Sequence, residues 1–290
     1  MSARCSRLLG LAALGAWFAC AGVATASEAF SYSPSGELAA DSGKGRADTN
    51  VYAPGIRFPL EKGPAFANSQ VWGHGGNNGT GSQCDTENFA YPWRDNFCES
   101  RSWDMPLCPA GTGHQGQDIR GASCEKGVYA TLAVADGTIT NVGSYSVYLT
   151  TDDGTRFDYL HMQDVAVTVG QKVKRGDPMG KVSNVFGGDV TTVHLHFNIR
   201  QNVDGVGTVY VPPYMSLIKS YETLLGIGLP DAAPPPPAPP PPLAAILAEA
   251  PPAVEDDGCA LAPASATTSG LGAGLALVAV AAMLARRARR

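Results

Sequence analysis

The chain has 290 residues, 44% hydrophobic and 16% charged, with a formal net charge of −5. That length holds one or two domains. The acidic balance lacks the basic bias of a nucleic-acid binder, so no nucleic-acid partner is expected.

The N-terminus carries Arg4 and Arg7, an apolar run from Leu8 to about Val23, and then Ala24-Thr25-Ala26. Positive residues, an apolar stretch and an A-x-A site form the pattern of a secretory signal peptide, so residues 1–26 are read as one, cleaved on export. Residues 27–70 show no strong periodicity and are expected to form a loosely docked leader. The stretch from about Val71 to Cys124 is rich in Gly, Asn and Trp and holds Cys84, Cys98, Cys108 and Cys124. No Cys-x-x-Cys spacing occurs among them, which argues against a thiolate zinc site. In an exported chain an even set reads as two disulfides with three connectivities open. The short-loop pairs Cys84–Cys98 and Cys108–Cys124 are favoured, stapling a long surface loop.

From Val128 the texture changes to short strands divided by turns. They are Val128–Leu132, Thr138–Val142, Ser146–Thr151, Thr155–His161, Val165–Val169, Met179–Val182 and Val193–Arg200, with a hairpin signal at Asp152-Asp153-Gly154. This spacing predicts an all-β fold, an antiparallel sandwich or barrel-like sheet. Pro212-Pro213 then introduces an amphipathic helix over about Tyr214–Leu225, packed on the outside. The main domain is read as residues 71–227.

Residues 228–258 form a proline-rich linker, including Pro234 to Pro237 and Pro239 to Pro242. Such a run extends as polyproline II and acts as a stiff spacer. Residues 259–290 form a tail: Cys259, an apolar stretch from about Gly270 to Ala285, then Arg286, Arg287, Arg289 and Arg290. The apolar stretch is marginal for a span, which needs about 20 residues, and the arginines would hold its end on the cytoplasmic side. Gly258-Cys259, apolar helix and arginine cluster together resemble the MYXO-CTERM sorting tail. That resemblance implies a sorting protease as partner, cleavage near Cys259 and transfer to the cell surface; an ordinary membrane anchor is the rival reading. Either way the expected location is the cell envelope or surface, the outer membrane included, or release from it. A monomer is expected.

Four of the five histidines fall in three motifs. G-T-G-H-Q-G-Q-D-I-R carries His114 and Asp118, F-D-Y-L-H-M carries His161, and V-H-L-H-F-N-I-R carries His194 and His196. Strand alternation in the last puts Val193, Leu195, Phe197 and Ile199 on one face and His194, His196, Asn198 and Arg200 on the other. A hydrolytic zinc needs three imidazole or carboxylate ligands and one open position. His114 and Asp118 can converge if Gly113 and Gly116 let the backbone bend tightly, and the strand with His196 can supply a third ligand. His161, sharing a strand face with Thr155, Phe157 and Tyr159, can enter the same groove. Taken singly, each histidine reads more simply as an ordinary surface residue, and His74 in W-G-H-G-G-N-N keeps that reading.

In their order, H-x-x-x-D, Y-x-H and H-x-H-F resemble the lysostaphin/LytM-type zinc metalloendopeptidases, over about Gly111 to Arg200. The resemblance implies the duplicated hybrid motif fold with a groove, and Zn2+ held by His114, Asp118 and His196. It also implies His161 and His194 as the catalytic pair and peptidoglycan peptides as substrate. Asn198 stands where a Glu often follows H-L-H-F. A tyrosine that some members carry just before the first ligand is replaced by Cys108-Pro109-Ala110, which leaves Tyr159 and Arg200 as candidates to assist the oxyanion. With no H-E-x-x-H glutamate, a histidine must serve as base, and its ordinary pKa near 6.5 suits that role. Two rival functions are a non-catalytic peptidoglycan-binding or hydrolase-activator module and a zinc peptidase acting on peptides outside the wall.

Overall fold

The computed structural model describes residues 29–227; the expected signal peptide, proline-rich linker and sorting tail lie outside them. The described strands are β1 (Ala65–Ala67), β2 (Gln117–Gly121), β3 (Ala130–Leu132), β4 (Gly137–Val142), β5 (Ser146–Thr150) and β6 (Arg156–Leu160). They continue with β7 (Met162–Gln163), β8 (Lys172–Val173), β9 (Pro178–Phe186), β10 (Asp189–Val203) and β11 (Gly207–Val211), followed by the helix α1 (Tyr214–Leu225). Every strand pairing is antiparallel, and the principal sheet runs β1-β2-β10-β6-β5-β4-β8.

β10 organises the domain because its alternation is complete. Val193, Leu195, Phe197 and Ile199 all enter the core, in contact range of Phe157 and Tyr159 from the neighbouring strand. The opposite face is left to polar groups, as period-two patterning requires. β9 pairs with β10 across a register shift and also with β3 and β7, so it carries the chain into a second layer whose Met179 and Val182 close the same core.

Several expectations change. Val165–Val169 is not a strand, although Val167 is buried. β2 was not expected: Q-D-I-R-G buries only Ile119 as an apolar side chain, and its other positions carry chemistry instead of alternation. Residues 29–70 are not loosely docked. Phe58, Leu60 and Ala65 are fully buried, β1 forms an edge of the principal sheet, and Phe30 and Phe58 pack edge-on or tilted against Tyr221 of α1. Irregular backbone hides this role from a periodicity search, since burial here follows no fixed repeat.

The helix forms where predicted, after Pro213, and ends at Gly226 in the left-handed region, whose N–H closes on Glu222 and Thr223 carbonyls. Tyr214, Leu217, Ile218 and Tyr221 share the i, i+3, i+4, i+7 stripe, and all four are fully buried. The disulfides are Cys84–Cys124 and Cys98–Cys108, not the pairs favoured from loop length. Loop-closure entropy rises only slowly with length, so a short loop is a poor guide when the intervening chain folds back on itself.

Candidate metal centre

The ladder sets Asp118 of β2 directly opposite His196 of β10. Opposed residues share a face, so these two meet without any special bend. His114 lies just before β2, held by its N–H donating to the Glu99 carbonyl (2.8 Å) and its carbonyl accepting from Cys98 N (3.0 Å). The glycines around it serve close approach, not a tight bend. Neither Gly113 nor Gly116 is left-handed; a Cβ on Gly113 would stand 2.8 Å from Cys98 Cα, and one on Gly116 would collide with Asn198 Oδ1.

Three atoms converge. His114 Nε2 is 3.0 Å from His196 Nδ1 and 3.4 Å from Asp118 Oδ1, and His196 Nδ1 is 3.0 Å from that same oxygen. The far nitrogen of each ring is already a donor: His114 Nδ1 donates to the Asn96 carbonyl (2.9 Å) and His196 Nε2 to Asn198 Oδ1 (2.6 Å). Asn198 Nδ2 in turn faces Asp158 Oδ2 at 3.4 Å, which orients its oxygen toward His196. In the neutral rings both converging nitrogens therefore present lone pairs. Two lone pairs and a carboxylate oxygen, buried together with no donor among them, repel one another and complement a cation. A tetrahedral zinc with bonds of about 2.0–2.1 Å needs ligand-to-ligand edges of about 3.3 Å, close to the separations here. His114, Asp118 and His196 fit a divalent metal.

His161 and His194 complete the group. His161 Nδ1 donates to the Val185 carbonyl and His194 Nδ1 to the Thr192 carbonyl, at 2.9 and 2.8 Å. Each neutral ring is left with an acceptor Nε2. His194 Nε2 is 3.5 Å from Asp118 Oδ1, and the His161 and His194 ring centroids are 4.5 Å apart. All five side chains are 7% exposed or less. Burial lowers His114 and His161 to about 4 and holds His194 well below its usual value, so the three are neutral at pH 7. Burial pushes Asp118 upward, but the His114, His194 and His196 imidazoles grouped around it outweigh that push, and Asp118 stays well below the usual carboxylate range.

Residues 112–207 match the family model described as Peptidase family M23. Over this stretch the chain is similar to the M23 peptidases. A LytM-like protein from Ruminococcus gnavus is 21% identical over 58% of this chain and 59% of its own, with a TM-score of 0.36, so the chain spans less than two thirds of it. The catalytic domain of lysostaphin from Staphylococcus simulans is 25% identical over 36% of this chain and 75% of its own, with a TM-score of 0.28. The catalytic domain of EnpA, a prophage-encoded M23 protein of Enterococcus faecalis, is 23% identical over 43% of this chain and 95% of its own, with a TM-score of 0.29. No curated protein matched.

The M23-like domain reaches its geometry by routes that alternation does not predict. β6 ends at Leu160, and His161 adopts a φ of 62°. Tyr159 faces the core opposite Phe197, so an unbroken strand would drive His161 into the core as well. The left-handed residue turns it to the metal face, at a cost of about 1–2 kcal/mol for a non-glycine. Tyr159 is thereby excluded as an oxyanion partner. It is fully buried, and its hydroxyl accepts from Val134 N and donates to the Leu132 carbonyl.

Other residues of the M23-like site and its surroundings were not anticipated. Asn96 donates through Nδ2 to Asp118 Oδ2 (2.8 Å) and accepts from Asp118 N at Oδ1 (3.1 Å), besides its carbonyl bond to His114. Nothing in D-N-F-C marks it. Asn198 was visible as a departure, in phase with His196, and that phase was the signal for its role. Gln70 accepts from Thr192 Oγ1 (2.6 Å) and Gln83 Oε1 from Val193 N (2.7 Å), so the segment leading into Cys84 grips β10 just ahead of His194. Tyr145 stacks parallel to His161 at 6.0 Å, and Phe186 meets it edge-on at 5.4 Å. His74 Nδ1 lies 3.0 Å from Asp85 Oδ2, on the half-exposed surface.

Proposed function

We propose that the protein is an exported, zinc-dependent endopeptidase that hydrolyses peptide bonds in peptidoglycan. One observation carries the metal reading: three acceptor atoms converge within 3.0–3.4 Å while the far nitrogen of each ligand imidazole is already a donor. The substrate class is supported by the M23 match and the lysostaphin/LytM-type motif order, and the exported location by two disulfides, which persist in oxidising compartments.

His114 Nε2, His196 Nδ1 and Asp118 Oδ1 would hold the ion, which supplies the Lewis acidity that polarises the scissile carbonyl and acidifies the attacking water. The chain's own residues do the rest. Asn96 and Asn198 fix the carboxylate and the ring that must present lone pairs, the outer-shell role that sets ligand orientation. His161 and His194, neutral and with Nε2 free to accept, take the water's proton and, once protonated, stabilise charge on the carbonyl oxygen. Their Nδ1–H bonds to Val185 and Thr192 carbonyls keep both rings in the accepting tautomer.

The test separates holding the metal from using it. His196→Ala should lose bound zinc, measured by elemental analysis of purified protein. His161→Ala and His194→Ala should retain zinc and lose roughly 10²–10⁴-fold in release of muropeptides from purified sacculi. Wild-type rates in both histidine variants, or cleavage that persists in chelator, would refute the assignment.

A further inference from the structure

The metal-bearing face of the sheet continues past the ligands. Each step of two along β10 moves one row, from His196 through Asn198 to Arg200. The register carries each row sideways: Asn198 stands opposite Asp158, and Arg200 stands opposite Arg156 on β6 and Tyr210 on β11. Like charges directly opposed disfavour a sheet, and only one of these two guanidinium groups is neutralised. Arg156 donates to both carboxylate oxygens of Asp158, at 2.7 and 3.0 Å, and to the Tyr210 hydroxyl at 3.2 Å. Among the described residues the arginines in ion pairs are Arg46, Arg94, Arg101 and Arg156; Arg200 has none. Its guanidinium lies 5.9 Å over the Tyr210 ring, as that of Arg156 lies 4.6 Å over Tyr148.

Two cations and two aromatic faces thus share a half-exposed patch on the face that carries the ligands, with the Asp158 carboxylate and Asn198 buried beside it. Arg200 is four strand residues from His196, about 13 Å, a length that an extended peptide covers in about four residues. A half-buried guanidinium without an anion calls for one, and a planar guanidinium suits a fork-like carboxylate contact.

We infer that this patch binds a carboxylate of the substrate peptide about four residues from the bond that is cut, with Arg200 as the specificity-determining residue. The inference rests on the peptidase reading for its substrate, yet it can be tested apart from it. Three peptides of one sequence would be offered to the zinc-loaded full chain. One ends in a free carboxylate, one in an amide, and one is amidated with Glu at the position facing Arg200. Binding by fluorescence anisotropy and cleavage kinetics would be read together. At least one of the carboxylate peptides should bind about tenfold tighter than the neutral one, the effect appearing in KM with kcat unchanged, and the responding peptide tells a terminal carboxylate from a side chain. Arg200→Gln should erase the preference, Arg200→Lys should keep part of it, and zinc content should stay the same in both. Equal binding of all three peptides to wild type, or a preference that survives Arg200→Gln, would overturn the inference. If no peptide is cleaved while the Arg200-dependent preference persists, the patch stands and the peptidase reading fails.

Discussion

In residues 112–207 the chemistry-bearing side chains stand on or beside ladder-paired strands, and their meeting is set by register. In residues 29–111 there is one three-residue strand and one 3₁₀ turn, Thr86–Phe89, yet this irregular half supplies Asn96, Gln70 and Gln83 to the same centre. The contrast separates two tasks. The sheet delivers the side chains at repeatable spacings and meets the far nitrogens of His161, His194 and His196 itself, through the Val185 and Thr192 carbonyls and Asn198 Oδ1. The loop serves the remaining two groups, His114 and Asp118, through the Asn96 carbonyl and side chain, and must be held still to do so. Cys98–Cys108 and a small cluster of Phe97 and Met105 hold it here.

Three measurements would break or sharpen that division. The largest effect is expected where the irregular half enters the core. Phe58→Ala should destabilise the protein by about 3–5 kcal/mol in denaturant unfolding, and a change under about 1 kcal/mol would mean that residues 29–70 are dispensable to the fold.

The second effect concerns charge. Burial acts oppositely on the two halves: it lowers His114 and His161 to about 4, and it raises Asp95 to about 6 and Glu99 to about 7. As pH falls from about 6.5 toward 4, the unfolded chain takes up protons that the buried rings refuse, so the imidazoles cost stability. Over a similar window the native carboxylates gain protons before the unfolded ones do, so they add stability. The metal-free protein should therefore show a shallow pH dependence that conceals two opposed slopes. Glu99→Gln should expose the imidazole loss, steepening the fall in stability between about pH 7 and pH 4.5 by on the order of 3 kcal/mol. An unchanged slope in that variant would remove the carboxylate half of the account.

The smallest effect tests the loop's service to the metal. Asn96→Ala should weaken zinc affinity about 10–100-fold in competition with a chelator, with little change in strand content by circular dichroism. Unaltered affinity would make Asn96 a packing residue only.

Much of this was legible in the chain. The period-two run at Val193–Arg200 announced a strand with one apolar face, and helix α1 began and ended where Pro213 and the apolar stripe put it. His114, Asp118, His161, His194 and His196 were named from motif order, and they do gather. The disulfide partners, the docking of residues 29–70 and the strand β2 were not legible, because each depends on contacts between segments distant in sequence and lacking a repeat.

The amino-acid order alone determined which side chains were available for chemistry and which strand faces would be apolar, since alternation and residue type are local properties. Only the tertiary structure decided which ring nitrogen of each histidine accepts, that His161 turns out of the core, and that Asn96 serves the centre. Tautomer and orientation depend on the partner at the far side of each group, and for His114, His161 and Asp118 that partner arrives from a distant segment, as Asn96 or Val185.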